Sequence, residues 1–206
     1  MISDRQLLIK LNEQFGFTTF RDGQQETIKA VLNHQDTLAI LPTGGGKSLL
    51  YQMPGYLLSG TVLIVSPLIS LMQDQVDRLH RSGEKRVLMI NGQLTGKSRH
   101  QALQRLSSFK FIFTSPETLA NPEIINKLKK IRITLFVIDE AHCISQWGPD
   151  FRPEYLLLSS VRKELGSPTT LLLTATATPE VRRDIIQKMG LKENTVTQVI
   201  RSVNRP

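Results

Sequence analysis

The chain has 206 residues, 40% apolar and 21% charged, with 26 basic against 18 acidic side chains and a formal charge of +8. This suits a soluble globular domain able to bury a sizeable core; no run approaches the ~20 apolar residues that a membrane span needs, and the lone Cys143 excludes an internal disulfide and a CxxC metal knuckle. The start MISDRQLLIKLNEQF lacks the apolar stretch and cleavage site of a secretory leader, so the cytoplasm is the expected compartment, and the basic excess admits a polyanionic partner.

Two helical segments come first, 4–15 with Ser3 as N-cap and 22–34. Because they precede every strand they cannot be crossovers, and they are expected at the sheet's edge. Seven apolar runs of strand length follow: DTLAIL (36–41), TVLIVS (61–66), RVLMI (86–90), FKFIFT (109–114), ITLFVID (133–139), TTLLLT (169–174) and TVTQVI (195–200). They are continuous rather than alternating, as in parallel strands covered on both faces. Helical periods separate some of them, as in PLISLMQDQVDRLH (67–80) and in PEVRRDIIQKMG (179–190), opened by Pro179 and closed by Gly190. The pattern predicts an α/β domain: a mostly parallel sheet of about seven strands with helices on both faces. With no repeat, low-complexity tract or Pro/Gly-rich linker, residues 1–206 read as one domain, residues 1–35 being accessory helices. Basic clusters at 78–86, 95–105 and 127–132 fit solvated helix faces as well as a polyanion footprint.

In such a sheet, ligands bind where the strands end. Three ends carry chemistry. PTGGGKS (42–48) supplies Thr43, Gly44, Gly45 and Gly46 for a loop whose N–H groups turn toward phosphates, with a helix expected to start near Gly46. Lys47 would reach the β and γ phosphates of ATP, and Ser48 would ligate Mg²⁺. The strict pattern wants glycine at 41, where Leu41 stands. In VIDEAH (137–142), Asp139 suits the metal and Glu140 the activation of water, whereas His142 lacks metal-ligand spacing and is expected to bond toward neighbouring strand ends. LTATATP (173–179) offers the hydroxyls of Thr174, Thr176 and Thr178.

Together these pieces resemble a superfamily-two helicase, and FRDGQQE (20–26), SPLISLMQDQV (66–76), TSPETL (114–119) and VIDEAHCISQWG (137–148) are similar to motifs of the RecQ family of DNA helicases. The resemblance implies a RecA-like P-loop lobe. It implies that Gln24 reads the adenine edge while Phe17 and Arg21 sandwich the base, and that Ser66 and Ser115 contact a DNA backbone. His142, Gln146, Thr174 and Thr176 would couple the ends. It makes QWGPDFRPEY (146–155) a loop that senses single-stranded DNA, with Trp147, Phe151 and Arg152 stacking on bases of any sequence. Pro149 stands where the family commonly has histidine. The implied whole is a motor translocating 3′ to 5′ on single-stranded DNA and opening duplex DNA. Its second RecA-like lobe, with an arginine finger, would follow the lead-in RSVNRP, and any zinc-binding or winged-helix segment would be outside these residues. A P-loop kinase or transport ATPase, and a nucleic-acid-binding module with an idle P-loop, each explain part of the pattern but leave FRDGQ or the acids unused.

Overall fold

The computed structural model describes residues 2–92 and 96–201. The lead-in at 202–206 and the first residue of the 95–105 basic cluster lie outside the described residues. The helices are α1 (Asp4–Phe15), α2 (Gln24–Leu32), α3 (Leu49–Leu57), α4 (Ile69–Arg81), α5 (Gly96–Gln104), α6 (Pro116–Leu119), α7 (Pro122–Leu128), α8 (Leu158–Glu164) and α9 (Pro179–Lys188). The strands are β1 (Thr37–Ile40), β2 (Thr61–Val65), β3 (Val87–Ile90), β4 (Phe111–Thr114), β5 (Ile133–Ile138), β6 (Thr169–Thr174) and β7 (Thr197–Ile200). All seven form one parallel sheet in the order β3-β4-β2-β5-β6-β1-β7. No helix is long and apolar enough to cross a membrane among the described residues.

The continuous apolar strands are explained by two cores, one per face. On one face Ala39, Ile64, Val137 and Leu171 pack beneath α1 to α4. On the other, Ile40, Val65, Ile138 and Leu172 pack beneath α5 to α9. Successive residues of a strand therefore serve opposite cores. The helices α1 and α2 lie at the β1–β7 end of the sheet, where α2 meets the edge strand β7, and Leu7, Leu11, Ile28 and Val31 also join the first core, so the pair covers a face there as well. Four apolar side chains favour that burial.

Local chemistry sets the helix ends. Ser3 accepts the Gln6 N–H and donates its own N–H to Gln6 Oε1, a reciprocal capping box at the expected N-cap. The second helix starts two residues late because Gly23 holds φ 81°, a left-handed turn. Thr178 caps α9 at Val181 N–H, and Gly190 follows its end at φ 67°. All seven strand runs are strands within a few residues.

Candidate nucleotide site and the loop beside it

Strands β5, β6 and β1 are neighbours, and their carboxyl ends deliver VIDEAH, LTATAT and PTGGGKS side by side. The phosphate-type loop turns tightly: Gly45 N–H donates to the Pro42 carbonyl at 2.8 Å, and a Cβ on Gly45 would lie 2.8 Å from that same oxygen. Helix α3 begins at Leu49, three residues beyond the expected Gly46; the intervening residues form a turn in which Leu49 and Leu50 N–H already bond to the Gly46 and Lys47 carbonyls. Leu41, the departure from the strict pattern, is buried and packs its side chain against Gly23, where a Cβ would approach within 2.8 Å.

Around this loop lies a cleft of about 520 Å³ that contains Phe17, Arg21, Gln24, Lys47, Ser48 and both acids. Arg21 Nη1 donates to the Gly44 carbonyl. Gln24 Nε2 donates to the Gly45 and Gly46 carbonyls at 3.3 and 3.2 Å, and Gln24 Oε1 accepts the Arg21 N–H at 2.8 Å. Both ends of that amide are thus engaged with the chain, and reading a base would mean exchanging those bonds. Phe17 is 53% exposed at the cleft mouth. The Lys47 ammonium donates to the Leu41 carbonyl at 3.4 Å.

Asp139 follows the buried strand β5 and is half-buried. Desolvation, and then the negative charge of Glu140, push its carboxyl up to about 6, while the Glu140 N–H bond and Lys47 oppose the shift. Its Oδ1 accepts the Glu140 N–H at 3.0 Å. Glu140 itself adopts φ 51°, ψ 47°, a left-handed backbone rare outside glycine, which turns the chain sharply between the two carboxylates. His142 Nδ1 lies 3.2 Å from Glu140 Oε2 and 2.8 Å from Thr174 Oγ1. The single hydroxyl hydrogen of Thr174 is donated to the Thr176 carbonyl at 3.1 Å, so Thr174 must accept from His142 and Nδ1 carries a proton. The structure brings Glu140, His142, Thr174 and the Thr176 backbone into one chain of bonds, while Gln146 is exposed outside it.

The aromatic segment crosses over this corner. Trp147 is 75% exposed, whereas Tyr155 is buried and donates its hydroxyl to the Asp139 carbonyl at 3.1 Å. Arg152 pairs with Asp150 at 3.1 Å, and Phe151 is half-buried. Ligand atoms of His142, Cys143 and Asp150 lie within 4.8 Å of one another, a proximity their spacing did not suggest; burial, then Asp150, pushes the Cys143 thiol up to about 12, away from the thiolate a metal takes.

Residues 21–185 match the family model for the DEAD/DEAH box helicase. The chain belongs to the DEAD/DEAH box helicase family. It is 52% identical over 196 residues to a probable ATP-dependent DNA helicase RecS of Bacillus subtilis, covering 95% of this chain and 39% of that relative. It is 45% identical over 191 residues to the ATP-dependent DNA helicase RecQ of the same organism, covering 90% and 32%. The chain thus spans only 39% and 32% of these two curated relatives. The crystal structure of the Pyrococcus furiosus Hef helicase domain superposes with a TM-score of 0.70 at 22% identity, over 91% of this chain and 38% of that one, a likeness of fold.

In this DEAD/DEAH box domain the two serines expected on a DNA backbone are separated. Ser66 follows Val65, which pairs with Ile138, so it sits beside Asp139 on the same face and lines the nucleotide cleft, its Oγ buried without a partner. Ser115 caps α6 at Thr118 N–H and opens on a different groove. Sequence reasoning missed Tyr155 as a tether of Asp139, and Tyr51, whose hydroxyl meets Gln75 Oε1 at 3.4 Å on the cleft wall. Tyr155 lay within the aromatic stretch; only its register with the strand end was hidden. Tyr51 stood in plain view after the lysine and serine, inside an apolar helix where an aromatic reads as core.

Proposed function

We propose that this chain is the ATP-binding lobe of a RecQ-type DNA helicase, one that couples ATP hydrolysis to 3′ to 5′ movement on single-stranded DNA and to duplex unwinding together with a second RecA-like lobe. The observation that carries the reading is one cleft lined by Lys47, Ser48, Asp139 and Glu140 together with Phe17, Arg21 and Gln24. The Gly44 to Gly46 backbone and Lys47 hold the phosphates; Phe17 and Arg21 stack on the adenine, and Gln24 reads its edge.

The donor set fits a hard dication. Ser48 offers a hydroxyl, Asp139 a carboxylate whose proton affinity is raised by desolvation and by the charge of Glu140, and Ser66 an orphaned buried Oγ for a metal-bound water. When bound, Mg²⁺ supplies charge neutralisation along the phosphates. Glu140 orients the attacking water and takes its proton; His142 steadies that carboxylate and passes its position to Thr174. Trp147, Phe151 and Arg152 meet DNA bases, and the buried Tyr155 bond ties their loop to the backbone of Asp139.

Lys47→Ala and Glu140→Gln test this in a protein that carries both lobes. The first is expected to lose nucleotide binding; the second keeps it while turnover falls by about 10² or more. The isolated 206 residues are expected to bind nucleotide weakly and turn it over slowly, because the arginine of the second lobe is worth roughly 10³ to 10⁵ in related phosphoryl transfer. Rapid DNA-stimulated hydrolysis by these residues alone, or full hydrolysis by Glu140→Gln, overturns the assignment.

A further inference from the structure

The aromatic loop is fastened from outside its own sequence. Ser145, fully buried at the loop's root, donates its hydroxyl to Asp184 Oδ2 at 2.6 Å and accepts the Trp147 N–H at 3.2 Å with the same oxygen. Asp184 lies on α9 and pairs at 3.1 Å with Lys188 one turn later. The Lys188 ammonium stands 5.5 Å from the centroid of the Phe151 ring, within cation–π range. Helix α9 starts directly behind the threonine strand exit, with Thr178 as its cap. One helix thus grips the loop twice, by a short hydrogen bond at its root and by a cation against its ring.

We propose that Asp184 and Lys188 are positioning residues for this loop: Asp184 pins its root, and Lys188 parks Phe151 so that a stacking nucleobase competes with the ammonium for the ring. The parking rests on the DNA-binding reading above; the pinning does not. The competition is even enough to be reversible, because a base stacked on an aromatic ring is held about as strongly as an ammonium over one. Releasing Phe151 leaves Lys188 to Asp184 alone, so occupancy of the loop is felt on α9 and, through its first turn, at the Thr174 to Thr178 strand exit. That gives the loop a further route to the nucleotide side besides its covalent link to Glu140 and the Tyr155 bond to Asp139.

The chain's only tryptophan reports on this loop directly. Trp147 emission anisotropy in DNA-free protein is expected to fall in Ser145→Ala and Asp184→Ala and to stay near wild type in Asp184→Asn, which keeps an acceptor for Ser145. Lys188→Met is expected to tighten binding of a short oligothymidylate, read from Trp147 quenching at low salt, by about five- to thirtyfold, the loss of a cation–π contact whose ammonium is shielded from solvent, while Lys188→Arg restores wild-type binding. Circular dichroism checks that each variant is folded. Unchanged anisotropy in Ser145→Ala and Asp184→Ala overturns the pinning; unchanged or weaker binding by Lys188→Met overturns the parking. If oligothymidylate fails to perturb Trp147 even in the wild type, the DNA reading falls and takes the parking with it, and anisotropy still decides the pinning.

Discussion

Asp139 is held at an energetic cost, visible at the scale of a single residue. Its carboxyl titrates at about 6 in the fold against 3.8 ordinarily. A group with a raised value favours the fold fully only below the lower value, and that contribution disappears as pH rises through the higher one. Above pH ~6 the charged, half-buried Asp139 therefore lowers stability by about 1 to 3 kcal/mol. Asp139→Asn, still able to accept the Glu140 N–H, is expected to unfold at a higher temperature than the parent at pH 8 in buffer free of metal and nucleotide. The advantage should narrow toward pH 4; an equal gain at both pH values, or none, contradicts the origin assigned here. At this scale the sequence displayed the carboxylates and the lysine, since few other roles need those residues directly after a buried strand. It did not display the partners of Ser145, because Asp184 is 39 positions away and on a helix read only for its amphipathic period.

The elements show where local rules succeed. Each strand was visible because burial on both faces demands an uninterrupted apolar run, and α1 because Ser3 stands at its start as an N-cap, which the structure completes with Gln6. A helix was expected after the glycine-rich loop, but the extent of α3 was masked by Pro54 and Gly55, residues that interrupt helices on propensity. Its tertiary setting explains them: a Cβ on Gly55 would lie 2.7 Å from the Phe111 ring and 2.9 Å from Val62, so glycine lets the helix that follows the phosphate loop approach β2 and β4. Gly55→Ala should therefore destabilise, by about 1 to 3 kcal/mol of overpacking, where an ordinary helix would gain from alanine. Urea unfolding decides the sign, and a gain in stability would show that the sheet yields at that point. The position of α1 and α2 over a face was also illegible, because the sequence tells which side of a helix is apolar and not which surface receives it.

For the molecule as a whole, the parallel sheet sends every strand out at the same end. The last described strand, β7, borders β1, and Arg201 beyond it donates its N–H to the Ile40 carbonyl at 2.9 Å. Its guanidinium meets Asp22 and Glu26, each at 2.7 Å, across 179 and 175 positions of sequence. All three side chains are substantially exposed, so Arg201→Ala is expected to lower stability by less than about 1 kcal/mol, an effect that shrinks in 1 M salt. A larger, salt-independent loss in thermal unfolding would mean that the side chain packs rather than pairs. The small energy does not make the contact mechanically trivial. Asp22 stands next to Arg21, whose guanidinium rests on the Gly44 carbonyl. Tension on the chain beyond Arg201 would therefore reach the rim of the phosphate loop through Asp22 as well as the sheet through the Ile40 carbonyl.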